Sequence, residues 1–95
     1  MVTKTDTYPD IVIPPGEYLA KEIGTRGTSQ KELAKPMGRP PNIINEIING
    51  KKAITVETAL LLEDAMPEIS ARFWLNLETD YQLTKILISK RIKVG

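Results

Sequence analysis

The stretch GRPPNIINEIINGKK, residues 38–52, carries the pattern that decides the fold. Ile44, Ile47 and Ile48 recur at i, i+3 and i+4, which is the spacing of one apolar face of an α-helix. The polar residues between them then fall on the opposite face. Gly50 follows the last apolar residue and suits the left-handed backbone angle that commonly ends a helix. The pattern predicts an amphipathic helix from about residue 41 to residue 49.

Two prolines stand where this helix begins. Pro40 suits the N-cap, where extended angles are normal, and Pro41 suits the first turn, where the missing N–H is not needed. The prolines are therefore compatible with the helix. They also leave its start without polar side chains, so this end offers only apolar contacts.

A shorter helix precedes it in the stretch SQKELAKPMG. Ser29 is a favourable N-cap, and Glu32 three residues later completes a capping box. We expect a helix over residues 30–35, because Pro36 removes a backbone donor and clashes with the preceding turn. Gly38 then supplies a turn before the second helix. This layout is that of a helix-turn-helix unit, and the alternative is a small helical bundle with a glycine-containing loop.

Three further helices are expected around this unit. The segment PPGEYLAKEIG places Leu19 and Ile23 on one face. Thr55 caps the segment VETALLLEDAM, and Ser70 caps a last helix that runs to about residue 90. The prediction is an all-α fold, a compact five-helix bundle. Its expected division is an N-terminal arm over residues 1–13, a helix-turn-helix domain over 14–69, and a C-terminal helix for dimer or partner contacts over 70–95.

The composition excludes several classes of function. The 95-residue chain has no Cys and no His, which excludes disulfides, the usual zinc sites and His-based catalysis. Its carboxylates are not paired with a base or a metal ligand in any catalytic pattern, so we expect no enzyme activity, no metal and no cofactor. It has no signal-peptide core and no apolar run near the ~18 residues that cross a bilayer. We therefore expect a cytoplasmic protein without a membrane partner.

Five segments together are similar to a known family. They are PGEYLAKE, SQKELAKPMG, INEIINGKKAIT, TALLLEDAM and FWLNLETDYQL. Over about residues 14–83 they resemble the HigA-type antitoxins, which are small proteins of the Cro/C1-repressor (XRE) helix-turn-helix superfamily. The resemblance implies a lambda-repressor-like fold, binding to double-stranded promoter DNA as a homodimer, and repression of the protein's own operon. It also implies a cognate toxin protein that cleaves messenger RNA and is neutralised by this chain.

The resemblance and the side-chain chemistry indicate a DNA-binding face. The resemblance matches base-facing positions to Pro41, Asn42 and Glu46, with Asn45 beside them, and a backbone-anchoring glutamine to Gln30. Asparagine pairs with adenine, a carboxylate accepts from cytosine, and basic residues neutralise phosphates. The predicted DNA-binding residues are Gln30, Lys31, Arg39, Pro41, Asn42, Asn45, Glu46, Lys51 and Lys52. The alternative is that the asparagines form only a solvated face.

A dimer or partner surface is expected on the last two helices. Three successive leucines cannot all face one core, so one of them is available for a partner. The aromatic and apolar residues of the last helix also suit a dimer seam, although packing in the core is the alternative for its aromatic side chains. The residues predicted for this surface are Leu61, Trp74, Leu77 and Tyr81.

The chain departs from the family pattern at the start of its reading helix. Polar residues are usual where Pro40 and Pro41 stand, Glu46 repels phosphate, and the formal net charge is only +1. These features support an alternative function. In it the chain is a helix-turn-helix protein-interaction module, or the N-terminal module of a longer regulator, without strong DNA readout.

Overall fold

The computed structural model describes residues 13–94, which form five α-helices and no strand. The helices are α1 (Pro15–Arg26), α2 (Gln30–Met37), α3 (Pro41–Ile48), α4 (Val56–Ala65) and α5 (Ala71–Val94). The predicted all-α, five-helix fold is confirmed for these residues. The predicted N-terminal arm lies outside the described residues except for Ile13, whose side chain is exposed.

A hydrophobic core joins all five helices. Its largest fully buried side chains are Leu19, Ile44, Leu62, Met66 and Trp74. In the apolar stripes predicted for α1 and α3, Leu19, Ile23, Ile44 and Ile47 are buried, whereas Ile48 is only half-buried. Burial of the apolar face of α3 directs its polar face outward.

The helix α2 continues past Pro36, whereas the sequence predicted an end at residue 35. In this eight-residue helix Pro36 removes only the one N–H that would donate to the carbonyl of Glu32. Met37 is buried in the core, and Gly38 closes the helix with a φ of 66° and cap hydrogen bonds to the last turn. Burial of Met37 and this cap outweigh the single lost hydrogen bond.

The predicted caps of α4 and α5 are confirmed. The N–H of Thr58 donates to the Thr55 hydroxyl at 3.2 Å, and the N–H of Phe73 donates to the Ser70 hydroxyl at 3.1 Å. The helix α5 continues to Val94, beyond the predicted end near residue 90. None of the described helices is long and apolar enough to cross a membrane.

The helix α1 approaches the C-terminal end of α3 very closely. A Cβ atom built on Gly16 would lie 2.0 Å from the carbonyl oxygen of Ile47. That oxygen belongs to the backbone and cannot rotate away, so only glycine permits the approach. Gly16 therefore sets the distance between α1 and α3, and with it the position of the exposed face of α3.

Candidate DNA-binding site

The helix-turn-helix unit consists of α2, a glycine turn and α3. The Ser29 hydroxyl accepts the N–H of Glu32 at 3.0 Å, and the Glu32 carboxylate accepts the N–H of Ser29 at 2.8 Å. The predicted capping box is therefore confirmed. Gly38 takes the left-handed angle that the turn needs. Gln30, the first residue of α2, is half-buried, and Lys31 beside it is exposed.

The helix α3 begins at its two prolines as the sequence predicts. Pro40 occupies the N-cap with extended angles, φ −66° and ψ 148°, and Pro41 occupies the first turn. The N–H of Ile43 donates to the Pro40 carbonyl at 3.1 Å. No side chain caps this helix. The positive end of α3 is therefore left without an acidic or hydroxyl side chain of its own.

The exposed face of α3 carries the side chains predicted to contact bases. Pro41, Asn42 and Asn45 are exposed, and Glu46 is half-buried. The Nδ2 of Asn49 donates to the Oδ1 of Asn45 at 3.0 Å. This bond uses one of the two acceptor positions of the Asn45 oxygen, so the second position stays available to a base.

Arg39 lies at the start of this face and is paired with an acidic side chain. Its Nη2 contacts the Oε2 of Glu57, in the first turn of α4. The two side chains are 39% and 73% exposed, so the pair is solvated and readily exchanged. Sequence reasoning missed this partner, because no local pattern relates the glycine turn to the start of α4.

Lys51 and Lys52 lie on the loop after α3, and hydrogen bonds fix that loop at two points. The N–H groups of both lysines donate to the carbonyl of Glu46, at 2.8 and 3.2 Å. The N–H of Ile54 donates to the Oε1 of Glu78, on α5, at 2.9 Å. Both lysine side chains are exposed. Sequence reasoning also missed Glu78, which lies far along the chain from the loop that it holds.

The predicted DNA-binding residues thus lie on the helix-turn-helix unit and on the loop that follows it. Amide side chains occupy the exposed face of α3, and cations flank it at both ends. Such a face presents hydrogen-bond donors and acceptors between positive charges. This arrangement suits a nucleic-acid duplex, because the amides can meet base edges while the cations meet phosphates. Within residues 13–94, no cluster of acidic side chains is arranged to hold a metal ion.

Trp74 lies in the core rather than on a partner surface. Its side chain has no exposed area, and its ring packs edge-on against Tyr18 and Phe73 at centroid distances of 5.6 and 5.9 Å. Trp74 therefore has no exposed surface with which to contact a partner, contrary to the prediction. The competing interpretation, packing in the core, accounts for this residue.

The other residues predicted to contact a partner keep part of their surface. Leu61, Leu77 and Tyr81 are each half-buried. Of the three successive leucines, Leu62 faces the core and Leu60 is 52% exposed. Between residues 56 and 90, the large apolar side chains that are exposed on α4 and α5 are Val56, Leu60, Leu83 and Ile86. Of the three leucines, Leu60 therefore keeps the most exposed surface, while the predicted Leu61 keeps less.

Residues 19–74 match the family model described as helix-turn-helix. The chain belongs to the XRE-type helix-turn-helix family. The matched region begins in α1 and ends in the first turn of α5, so it includes the core residues that hold α2 and α3.

Two solved structures of HigA proteins are similar to this helix-turn-helix protein. An addiction module antidote protein of the HigA family from Coxiella burnetii is 37% identical, with a TM-score of 0.78, over 87% of this chain and 90% of that one. The antitoxin HigA of Pseudomonas aeruginosa, in a structure with the higBA promoter, is 26% identical, with a TM-score of 0.78, over 90% and 92%. The resemblance to HigA-type proteins is confirmed.

A curated relative is similar over a shorter part of its length. Virulence-associated protein I of Dichelobacter nodosus is 40% identical over 72 residues, which are 75% of this chain and 66% of that protein. The chain spans 59 to 66% of the length of the three relatives that it matches from this organism.

Proposed function

We propose that this chain is the antitoxin of a type II toxin–antitoxin pair. In this role it is a dimeric, sequence-specific repressor of its own operon and neutralises an mRNA-cleaving toxin. The observation that carries the DNA-binding part is the exposed face of α3, where Asn42 and Asn45 stand between flanking cations. Similarity to HigA-family proteins over about nine-tenths of the chain supports the antitoxin part.

Sequence readout is assigned to α3 in the major groove. An asparagine amide can accept from the N6 amino group of adenine while it donates to N7. Asn42 and Asn45 have this capacity, and Glu46 can accept from the N4 amino group of cytosine. Pro41 offers an apolar contact to a thymine methyl group. The two prolines thus shift polar readout one residue into the helix.

Affinity is assigned to the cations around α3. Arg39 exchanges Glu57 for a phosphate when DNA binds, while Lys51 and Lys52 neutralise phosphates at the other end of the helix. Gln30 and Lys31 contact the backbone at the start of α2. Each neutralised phosphate releases condensed counterions, so binding weakens as salt rises.

Dimerisation supplies the second half of the DNA contact. One α3 with so few base contacts reads a half-site weakly, and a symmetric pair doubles those contacts at a spacing of about one helical turn. We assign dimer or toxin contacts to the C-terminal helix, residues 70–95, together with Leu61. Partly exposed Leu77 and Tyr81, near exposed apolar side chains, support this assignment.

Binding to a labelled duplex that carries the DNA upstream of the gene tests the DNA-binding part. Asn42→Ala is expected to weaken binding by roughly five- to 150-fold for each half-site, because a bidentate base contact is worth about 1–3 kcal/mol. Thr25→Ala removes an exposed polar side chain of α1, outside the helix-turn-helix unit and the C-terminal helix, and serves as the control. Equal binding by wild type and Asn42→Ala rejects readout by α3, and no gel shift at low salt rejects the DNA-binding part altogether.

Growth of cells that co-express the neighbouring reading frame tests the antitoxin part. We expect that frame to encode a small basic protein of roughly 100 residues, the size of one domain. It should arrest growth alone and be harmless when this chain is present. A neighbouring product that is harmless alone, or whose toxicity this chain does not relieve, contradicts the antitoxin role.

A second candidate function is a protein-interaction module without strong DNA readout. The ion pair between Arg39 and Glu57 favours it, because it neutralises the cation nearest to α3. The chain's match to only part of its longer relatives also fits a module of a larger regulator. Capture of the toxin by the wild-type chain, together with no DNA binding at low salt, supports this second function.

A further inference from the structure

A cleft of about 90 Å³ lies beside the C-terminal end of α3, outside the reading face. It is bounded by the first turn of α1, by the loop after α3 and by one side of α5. Three lysines from two distant parts of the chain line it: Lys51, Lys52 and Lys85. We call this feature the lysine cleft. Sequence reasoning assigned no role to Lys85.

The side chain of Lys85 is held against the wall of the lysine cleft. Its Nζ lies 4.7 Å from the centre of the Tyr81 ring, and Tyr81 lines the same cleft. Lysine side chains on a helix lean toward its N-terminus, which here brings the ammonium of Lys85 over the preceding turn. A cation over an aromatic face is weakly attracted to it, which helps to position the ammonium group.

The acidic group in the lysine cleft is already engaged by hydrogen bonds. Glu78 accepts the N–H of Ile54 with Oε1, at 2.9 Å, and the side-chain amide of Gln82 with Oε2, at 2.7 Å. Within the described part of the chain, the ion pairs closer than 4 Å involve Arg26 and Arg39 and none of the cleft lysines. Three lysines against one carboxylate leave the cleft with an excess of positive charge.

We propose that the lysine cleft binds a backbone phosphate of duplex DNA, with Lys85 as a DNA contact on α5. A phosphodiester carries one negative charge and several acceptor oxygens, which suits ammonium donors that converge from different elements. Lys51 and Lys52 already belong to the candidate interface, so the cleft extends that interface past the end of α3. This inference rests on the proposed DNA-binding function.

The salt dependence of DNA binding tests the proposal, on the promoter duplex and on a scrambled duplex of equal length. Lys85→Gln is expected to make the log–log salt slope shallower by about 0.9 for each lost phosphate contact, or about 1.8 for a dimer. Both duplexes should show the same change, because a phosphate contact carries no sequence information. Lys85→Arg should keep the wild-type slope.

Lys21→Gln is the control, since it removes an exposed lysine of α1 that lies outside the lysine cleft and outside the C-terminal helix. A wild-type slope for Lys85→Gln, or an equal change in Lys21→Gln, overturns the proposal. Dissociation of a dimer by Lys85→Gln, measured by sedimentation, would place Lys85 in the dimer contact and also overturn it. If the wild-type protein binds both duplexes equally, sequence readout by α3 is rejected. The salt slopes of wild type and Lys85→Gln then still test whether the lysine cleft binds a phosphate. Wild type that binds neither duplex rejects both.

Discussion

The helices α2 and α3 are both eight residues long and adjacent in the chain, but they begin in different ways. Ser29 and Glu32 close the start of α2 with reciprocal hydrogen bonds inside one turn. The start of α3 has two prolines and no side-chain cap. A capping box satisfies backbone donors from within the chain and places a carboxylate at the positive end of the helix. The uncapped start of α3 leaves that end open to an external anion.

The two helices also differ in what positions them. Local bonds define α2 from its cap to its closing glycine. The position of α3 depends on contacts from elsewhere: the close approach of Gly16 to Ile47, and the bond from the following loop to Glu78 on α5. Substitutions far from the exposed face of α3 are therefore able to move it, whereas α2 responds mainly to substitutions in its own turns.

The largest effect is expected from emptying the buried face of α3. Ile44→Ala should lower the free energy of unfolding by about 2–5 kcal/mol, because it removes a fully buried side chain and leaves a cavity. Urea unfolding measures the change. Ile13→Ala, at a position that is 62% exposed, should stay within about 0.5 kcal/mol of wild type. Similar losses for the two variants would show that core burial does not hold α3.

The next effect concerns the contact between α1 and α3. Gly16→Ala should destabilise the fold by about 1–3 kcal/mol, because the new methyl group meets backbone and α3 must shift. Gly24→Ala is the control within α1, where nothing lies within 4 Å of the added Cβ. It should stabilise the helix by about 0.5–1 kcal/mol. Melting temperatures that shift in the same direction for both variants would contradict the role of Gly16.

A smaller effect is expected at the cap of α2. Ser29→Ala should cost about 1 kcal/mol of stability, because the N–H of Glu32 loses its side-chain acceptor. Chemical denaturation provides the measurement. Ser89→Ala, at an exposed position inside α5, removes the same hydroxyl without removing a cap and should not destabilise. Equal destabilisation by both would mean that the capping box contributes nothing.

The smallest effect is a pH dependence at the same cap. The pKa of Glu32 lies below its ordinary value of 4.5, first because the Ser29 N–H donates to its carboxylate, and then through the Ser29 and Thr28 hydroxyls. The pKa of Glu32 is thus lower in the folded state than in the unfolded state. The stability that its ionised carboxylate contributes is therefore fully present above about pH 4.5 and is lost as pH falls through the folded-state pKa. The melting temperature of Glu32→Gln should fall less steeply than that of wild type below about pH 5. Parallel curves for the two proteins would contradict the prediction.

Much of the fold and part of the candidate site follow from local sequence. Helical spacing predicts which face of α3 is buried, so it also predicts that Asn42 and Asn45 are exposed. The end of α2 is missed because the rule that proline breaks helices takes no account of the core that buries Met37. The sequence prediction put Trp74 on a partner surface because helical periodicity does not show which neighbouring element covers an apolar side chain. The partners of Arg39 and Ile54 are missed because both lie far away in the chain.

The sequence by itself determined the elements whose energetics are local: the capping box of α2, the glycine turns, the apolar stripes and the proline start of α3. These depend on hydrogen bonds and side-chain spacing within one or two turns. Only the tertiary structure decided that Gly16 meets Ile47, that Glu57 pairs with Arg39, and that Lys85 joins the loop lysines in one cleft. Such contacts join residues that are distant along the chain. Their geometry arises when the shared core fixes the helices relative to one another, and no local pattern encodes it.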